Sequence, residues 1–142
     1  MRGKRFRLAA ALFATLPGSE ASARQSFIIF FDHGEARISK SAAAILDNAA
    51  QATRNWRGTL LLSGHADRSG TPDYNLRLSC GRAAAVRDYL KARIDPAFQI
   101  AIEGWGEQRG LVETQDGIAE PQNRRVEFGQ ALPGDGLNCV GY

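Results

Sequence analysis

Apolar positions fall into four short runs and two longer periodic stretches. Ser26 to Phe31 (SFIIFF) is a continuous run of β-forming residues, which predicts a strand buried on both faces. Asp32-His33-Gly34 reads as a turn. Ser39 then predicts a helix cap. Ala42, Ile45, Leu46, Ala49, Thr53 and Trp56 step by three and four along a helix that reaches about Asn55 and is closed by Gly58. Thr59 to Ser63 (TLLLS) is a second buried strand. Thr71-Pro72-Asp73 supplies a capping hydroxyl, a proline suited to the first helical position and an acid for the positive first turn. That helix runs to about Arg93, before Asp95-Pro96 stops it. Phe98, Ile100 and Ile102 alternate with Gln99, Ala101 and Glu103, so the next strand is half buried. A bend at Gly104-Trp105-Gly106 and a long polar loop, with room for a short helix, lead to a last strand, Arg124 to Phe128. There Arg124, Val126 and Phe128 share a face and Arg125 points away.

The order β-α-β-α-β-β predicts an α/β fold: a two-layer sandwich with a four-stranded mixed sheet and both main helices on one face, as right-handed crossovers require.

Charge changes the picture at the N-terminus. Residues 1–7 carry four basic side chains, Leu8 to Leu16 is apolar, Pro17-Gly18 breaks the run, and Ala21-Ser22-Ala23 is a small-x-small site. This is the layout of a secretory leader, expected to be cleaved after Ala23. The apolar run is about half the roughly 20 residues a spanning helix needs, and no later run is long enough. No cysteine near the cleavage site signals lipid attachment. The expected organisation is a leader (1–23), one domain (24–132) and an irregular tail (133–142). The leader holds four of the 18 basic and one of the 15 acidic residues, leaving 14 of each. The excess of positive charge therefore belongs to the leader, and the sequence argues against nucleic acid as a partner. Two cysteines remain, Cys80 and Cys139. In an oxidising compartment they can pair, but spacing alone does not decide it. They do not make a metal site, and the sequence predicts neither metal nor cofactor.

The segment Gly64 to Arg82 (GHADRSGTPDYNLRLSCGR) concentrates chemistry. Asp67 follows the second strand, where ligands bind in open α/β sheets. Asn75, Leu78 and Arg82 lie on one stripe of the second helix. Asp67 and Arg82 can thus face each other across a small cleft, as an ordinary salt bridge or as a cradle for a zwitterion. A carboxylate would take the ligand's ammonium, and a guanidinium would take its carboxylate by a forked contact.

Asp67, Gly70, Asn75, Leu78, Ser79, Arg82 and Ala83 resemble the D-x-x-G-x(4)-N-x-x-L-S-x-x-R-A signature of the OmpA-like peptidoglycan-binding domain family. Phe31-Asp32, Gly104-Trp105-Gly106-Glu107 and Asn123-Arg124-Arg125-Val126-Glu127 extend the similarity over about residues 26–130. The resemblance implies a non-catalytic periplasmic domain, associated with the outer membrane, that binds the diaminopimelate of the peptide stem. It implies that Asp67 takes the ammonium and Arg82 the carboxylate, with Phe31 and Asp32 at the neighbouring strand end and Asn75 and Leu78 lining the pocket. Arg124 is a further candidate, as a pocket support or a plain surface charge. The family usually has Thr before the Asp; here it is Ala66, and a hydroxyl is missing. The barrel, lipid or membrane helix that tethers such domains is not evident. A partner protein of the outer membrane or envelope would supply that link, unless the domain is free.

Two rival readings stay open: a cell-wall hydrolase or amidase, and an interaction protein with a weakened pocket. The hydrolase would need a nucleophile–base pair or metal cluster, which the sequence does not offer. His65, beside Asp67, has no partner at catalytic spacing. His33 is expected to be exposed in its turn, and Trp56 and Trp105 are expected to cover core.

Overall fold

The computed structural model describes residues 26–132 and 134–142. The leader expected at 1–23 lies outside the described residues. The chain forms β1 (Ile28–Phe30), α1 (Lys40–Ala52), β2 (Thr59–Gly64), α2 (Pro72–Lys91), β3 (Gln99–Gly104) and β4 (Arg125–Gln130). Short 3-10 turns lie at Pro121–Asn123, within the long loop, and at Leu137–Cys139, within the tail expected to be irregular.

The strands order as β1-β4-β2-β3. β2 and β3 run parallel, and β4 pairs antiparallel with both β1 and β2. The last strand is therefore inserted between the first two. One alternating set of strand residues (Ile29, Leu60, Leu62, Ile102, Val126 and Phe128) joins Leu46 and Ala49 of α1 and Ala83, Val86 and Leu90 of α2 in a single core. Both helices thus cover one face of a mixed sheet, as the element order predicts.

The helix starts follow from local chemistry. Ser39 Oγ accepts from the Ala42 amide, and Thr71 Oγ1 from the Tyr74 amide, with Pro72 at the first helical position. β1 differs from expectation. It is an edge strand of three residues, and Phe30 on its outer face is 46% exposed, so SFIIFF is buried on one side only. Trp56 packs against the core as expected, but Trp105 does not. Its indole donates to Glu103, and the Arg109 guanidinium stacks 3.3 Å from its ring centroid.

α2 lies unusually close to the ends of β2 and β3. A Cβ on Gly64 would fall 1.9 Å from the Ser79 carbonyl oxygen, and one on Gly104 would fall 2.6 Å from Cys80 Sγ. This is the close approach that the Gly64 and Gly104 positions permit. Gly81 of α2 permits no such approach: a Cβ there would meet only Ala36 at 3.9 Å, an ordinary contact.

The tail closes the β3 edge. Cys139 is disulfide-bonded to Cys80 of α2. The Asn138 side-chain amide donates to the Gly104 carbonyl and accepts from the Gly104 amide, so one side chain satisfies an edge position as a neighbouring strand would.

Candidate functional site

The site gathers at the C-terminal ends of β1 and β2 and at the start of α2. Asp67 is 4% exposed and both of its carboxylate oxygens accept hydrogen bonds. Oδ1 accepts from the Ser69 amide (3.2 Å) and hydroxyl (2.5 Å). Oδ2 accepts from the Glu120 amide (3.2 Å) and from Arg124 Nη1 (3.2 Å). Burial by itself would raise the Asp67 carboxyl. The bonds from Ser69, Arg124 and Glu120 outweigh it and hold the group below the usual carboxylate range. Asp67 is thus an ionised, buried carboxylate at neutral pH.

Arg82 is not its direct partner. Among the described residues, the guanidinium that reaches Asp67 is Arg124, and the salt bridge drawn above between Asp67 and Arg82 is replaced by this one. Arg82 is completely buried and donates to three backbone carbonyls: Glu35 (Nε, 2.8 Å), His65 (Nη1, 2.9 Å) and Asp32 (Nη2, 3.2 Å). Its guanidinium also lies 5.4 Å from the centroid of the Phe31 ring. Burial lowers its pKa to about 10, with Asp67 pulling it back up and Arg124 pushing it down, so Arg82 stays charged. It clamps the chain after β1 to the end of β2 and leaves its charge inside the site.

Arg124 sits just before β4, on the side of Val126 and Phe128, as the alternation predicts. It bonds the Phe31 carbonyl through Nε (3.0 Å) as well as Asp67. Phe31 is buried; Asp32 contributes its carbonyl to Arg82 while its side chain is exposed. Asn75, 1% exposed, donates to the Gly70 carbonyl (3.2 Å) and to Glu107 Oε2 (2.6 Å). Leu78 is half-buried further along the same helix. Ala66, where the family has Thr, is buried and keeps its backbone bond to Gly106. All seven candidates of the sequence reading thus lie on the elements that converge here; the pairing among them is what differs.

Three participants were not legible as such. Ser69 doubly bonds Asp67, and the D-x-S spacing of a side-chain turn is the signal that could have found it. Glu107 fixes Asn75 from 32 residues away. His33 is 65% exposed in its side chain, as expected of a turn residue, but its Nδ1 stands 4.0 Å from Asp67 Oδ2 at the mouth of the site.

His65 points away from this site. Its side chain is 3% exposed on the opposite face of the sheet, near Arg125, Glu127 and Arg109, with no hydrogen-bond partner of good geometry. Burial, reinforced by Arg125, pushes its pKa down to about 4. A folded-state value below the unfolded one means that stability is complete above about pH 6.5 and is lost as the pH falls toward 4. We expect the domain to lose about 2–3 kcal/mol across that window. Melting curves between pH 7 and 4.5 check this: the slope should flatten in His65→Gln, and an unchanged slope would assign the acid sensitivity elsewhere. Asp67, whose value is also depressed, contributes stability that is complete above the ordinary carboxylate range and is lost only as the pH falls through that range and below it.

With this geometry in view, comparisons with known proteins converge. Residues 30–124 match the model of the OmpA family. A peptidoglycan-associated lipoprotein of Rhizobium meliloti (strain 1021) is 37% identical over 99 residues, covering 69% of this chain and 56% of that protein. An outer membrane protein of Gluconacetobacter diazotrophicus is 35% identical over 111 residues, 73% of this chain and 29% of that protein. The chain therefore spans little more than half the length of the first relative and less of the second. The crystal structure of the peptidoglycan-associated lipoprotein from Burkholderia pseudomallei superposes with a TM-score of 0.62 at 29% identity, covering 71% of this chain and 86% of that one.

Proposed function

The chain belongs to the OmpA family, and from that premise we propose that it is a non-catalytic peptidoglycan-binding domain of the cell envelope that holds the diaminopimelate of the peptide stem. The observation that carries this reading is an ionised, buried Asp67 flanked by two charged guanidiniums, Arg124 in contact and Arg82 behind it. A site with both signs of fixed charge suits a ligand that brings both. The free end of diaminopimelate is such a zwitterion: its ammonium pairs with Asp67 and its carboxylate with guanidinium N–H groups. Donors remain for it. Of the five N–H groups of an arginine, Arg82 uses three on carbonyls and Arg124 uses two. Arg124 is the less buried of the two and stands beside Asp67, so it meets the ligand's carboxylate, and the completely buried Arg82 adds its positive charge from within. Asn75 and Leu78 shape the pocket beside the loop, and Asp32 adds an exposed carboxylate at its rim.

Sacculi with two kinds of stem test this reading. The chain should co-sediment with diaminopimelate-containing sacculi and only weakly with sacculi whose stems carry lysine, which lacks the second carboxylate. Equal sedimentation with both would sink the diaminopimelate assignment. No soluble muropeptide should appear during the incubation. Release that a chelator abolishes would favour the hydrolase reading instead.

A further inference from the structure

Four donors already converge on the Asp67 carboxylate: the Ser69 amide and hydroxyl, the Glu120 amide and Arg124 Nη1. A carboxylate has only about four lone-pair sites. Asp67 therefore supplies an arriving ammonium with charge but few free acceptors. An ammonium carries three N–H donors, so another acceptor has to stand nearby.

His33 stands where one is needed. Its Nδ1 is 4.0 Å from Asp67 Oδ2. That is too long for a hydrogen bond between the two, and it suits a single nitrogen held by both, at about 2.9 Å from each. The imidazole is 65% exposed, so a ligand can reach it. The turn that carries it is fixed. The Glu35 amide donates to the Asp32 carbonyl (3.1 Å), and Arg82 holds the carbonyls of Asp32 and Glu35. Gly34 takes a φ of +66°, which favours glycine, and a Cβ there would stand 3.8 Å from the Tyr74 hydroxyl.

The titratable and charged groups around the ring come from each neighbouring element. They are Asp67 after β2, Arg82 and Tyr74 on α2, Arg124 before β4, and Asp32 and Glu35 in the same turn. Two guanidiniums thus already act on one buried carboxylate. A protonated His33 would be a third cation there.

We propose that His33 is a binding residue of this site: its neutral Nδ1 and Asp67 Oδ2 grip the ligand's ammonium between them, and protonation of the imidazole releases it. The proposal rests on the diaminopimelate reading above and adds a pH-dependent contact to it. A neutral imidazole has one acceptor nitrogen, whereas an imidazolium has none and donates from both. The protonated ring turns a donor toward Asp67 and repels the ammonium. Histidine is the residue type that changes charge between about pH 5 and 8, so the release falls within a range an envelope domain meets.

Calorimetry with a diaminopimelate stem peptide at about pH 7.5 and 5.5 tests this. His65, pushed down to about 4, stays neutral in that window. Wild type should bind about 10-fold more weakly at the lower pH, because binding then has to expel a proton. His33→Gln keeps an acceptor that cannot titrate, so its affinity should change by less than about 2-fold over the same range. His33→Lys places a fixed cation beside Asp67 and should bind at least about 10-fold more weakly than wild type at the higher pH. By reciprocity, bound peptide should move the NMR titration midpoint of the His33 ring to lower pH. Equal pH dependence in wild type and His33→Gln, or a midpoint that the peptide leaves in place, would overturn the proposal. Wild type that binds the peptide equally at both pH values would overturn it too, and leave the diaminopimelate reading standing. Peptide that binds at neither pH would sink both.

Discussion

Asp67→Asn should leave the chain folded and abolish its co-sedimentation with diaminopimelate-containing sacculi. Asn keeps the shape and still accepts from Ser69, but it offers no charge to an ammonium and leaves Arg124 without its counter-ion. Removing one partner of a desolvated charge pair weakens binding by about 2–5 kcal/mol, enough to empty a pull-down. The accompanying loss of stability should be smaller, about 1–3 kcal/mol from hydrogen bonds to a charged group. Arg82 is a poorer probe for the same question. Arg82→Ala strips the donor from three carbonyls, those of Asp32, Glu35 and His65, and each buried group left unpaired costs about 1–3 kcal/mol. That variant should melt far below wild type, and its loss of binding would say little about ligand contact. Arg124→Gln is the better companion: it removes the ion pair at the less buried guanidinium and should weaken sedimentation with a modest change in melting temperature. Asp67→Asn protein that melts and sediments like wild type would reduce the cluster to a structural ion pair.

Loss of the Cys80–Cys139 disulfide is the second large effect. The bond closes a chain segment with a sequence separation of 59 and holds the tail against β3. In the chain-entropy account a loop of that size stabilises the fold by about 4 kcal/mol, and measured effects are typically about 2–4. Cys139→Ser should lower the melting temperature by on the order of 10 °C, and reductant should do the same to wild type but nothing further to the variant. The local signature is at the sheet edge. The Gly104 amide donates to Asn138 Oδ1, so its hydrogen exchange should accelerate when the tail is released. An unchanged melting temperature with unchanged exchange at Gly104 would mean that the tail is held by Asn138 and its packing alone.

Much of the fold is local and was legible in the sequence. Ser39 and Thr71-Pro72 carry their helix starts in their own chemistry, because a cap bonds an amide two or three residues on. Alternation at Phe98, Ile100 and Ile102 marked a half-buried strand, since side chains on a strand point to opposite faces in turn. The apolar run at Ser26 to Phe31 misled, because continuous hydrophobicity does not reveal that a strand lies at a sheet edge. Placing Trp105 in the core erred for a related reason: an indole satisfied by Glu103 and stacked under Arg109 has the composition of a core residue and the surroundings of a surface one.

At the site the division is sharper. Sequence by itself determined which residue types stand at Asp67, Asn75, Leu78, Arg82 and Arg124, and on which elements, because strand ends, caps and helical spacing act within a few residues. It could not determine their partners. Arg124 reaches Asp67 across 57 residues, and that contact exists only because β4 is inserted between β1 and β2. Arg82 ends on the carbonyls of Asp32, Glu35 and His65, acceptors that every residue carries and that no spacing distinguishes. Sheet order decided which charges are paired with each other inside the protein. Side-chain identity is written along the chain, whereas electrostatic pairing depends on distances of a few ångströms that only the packed fold creates.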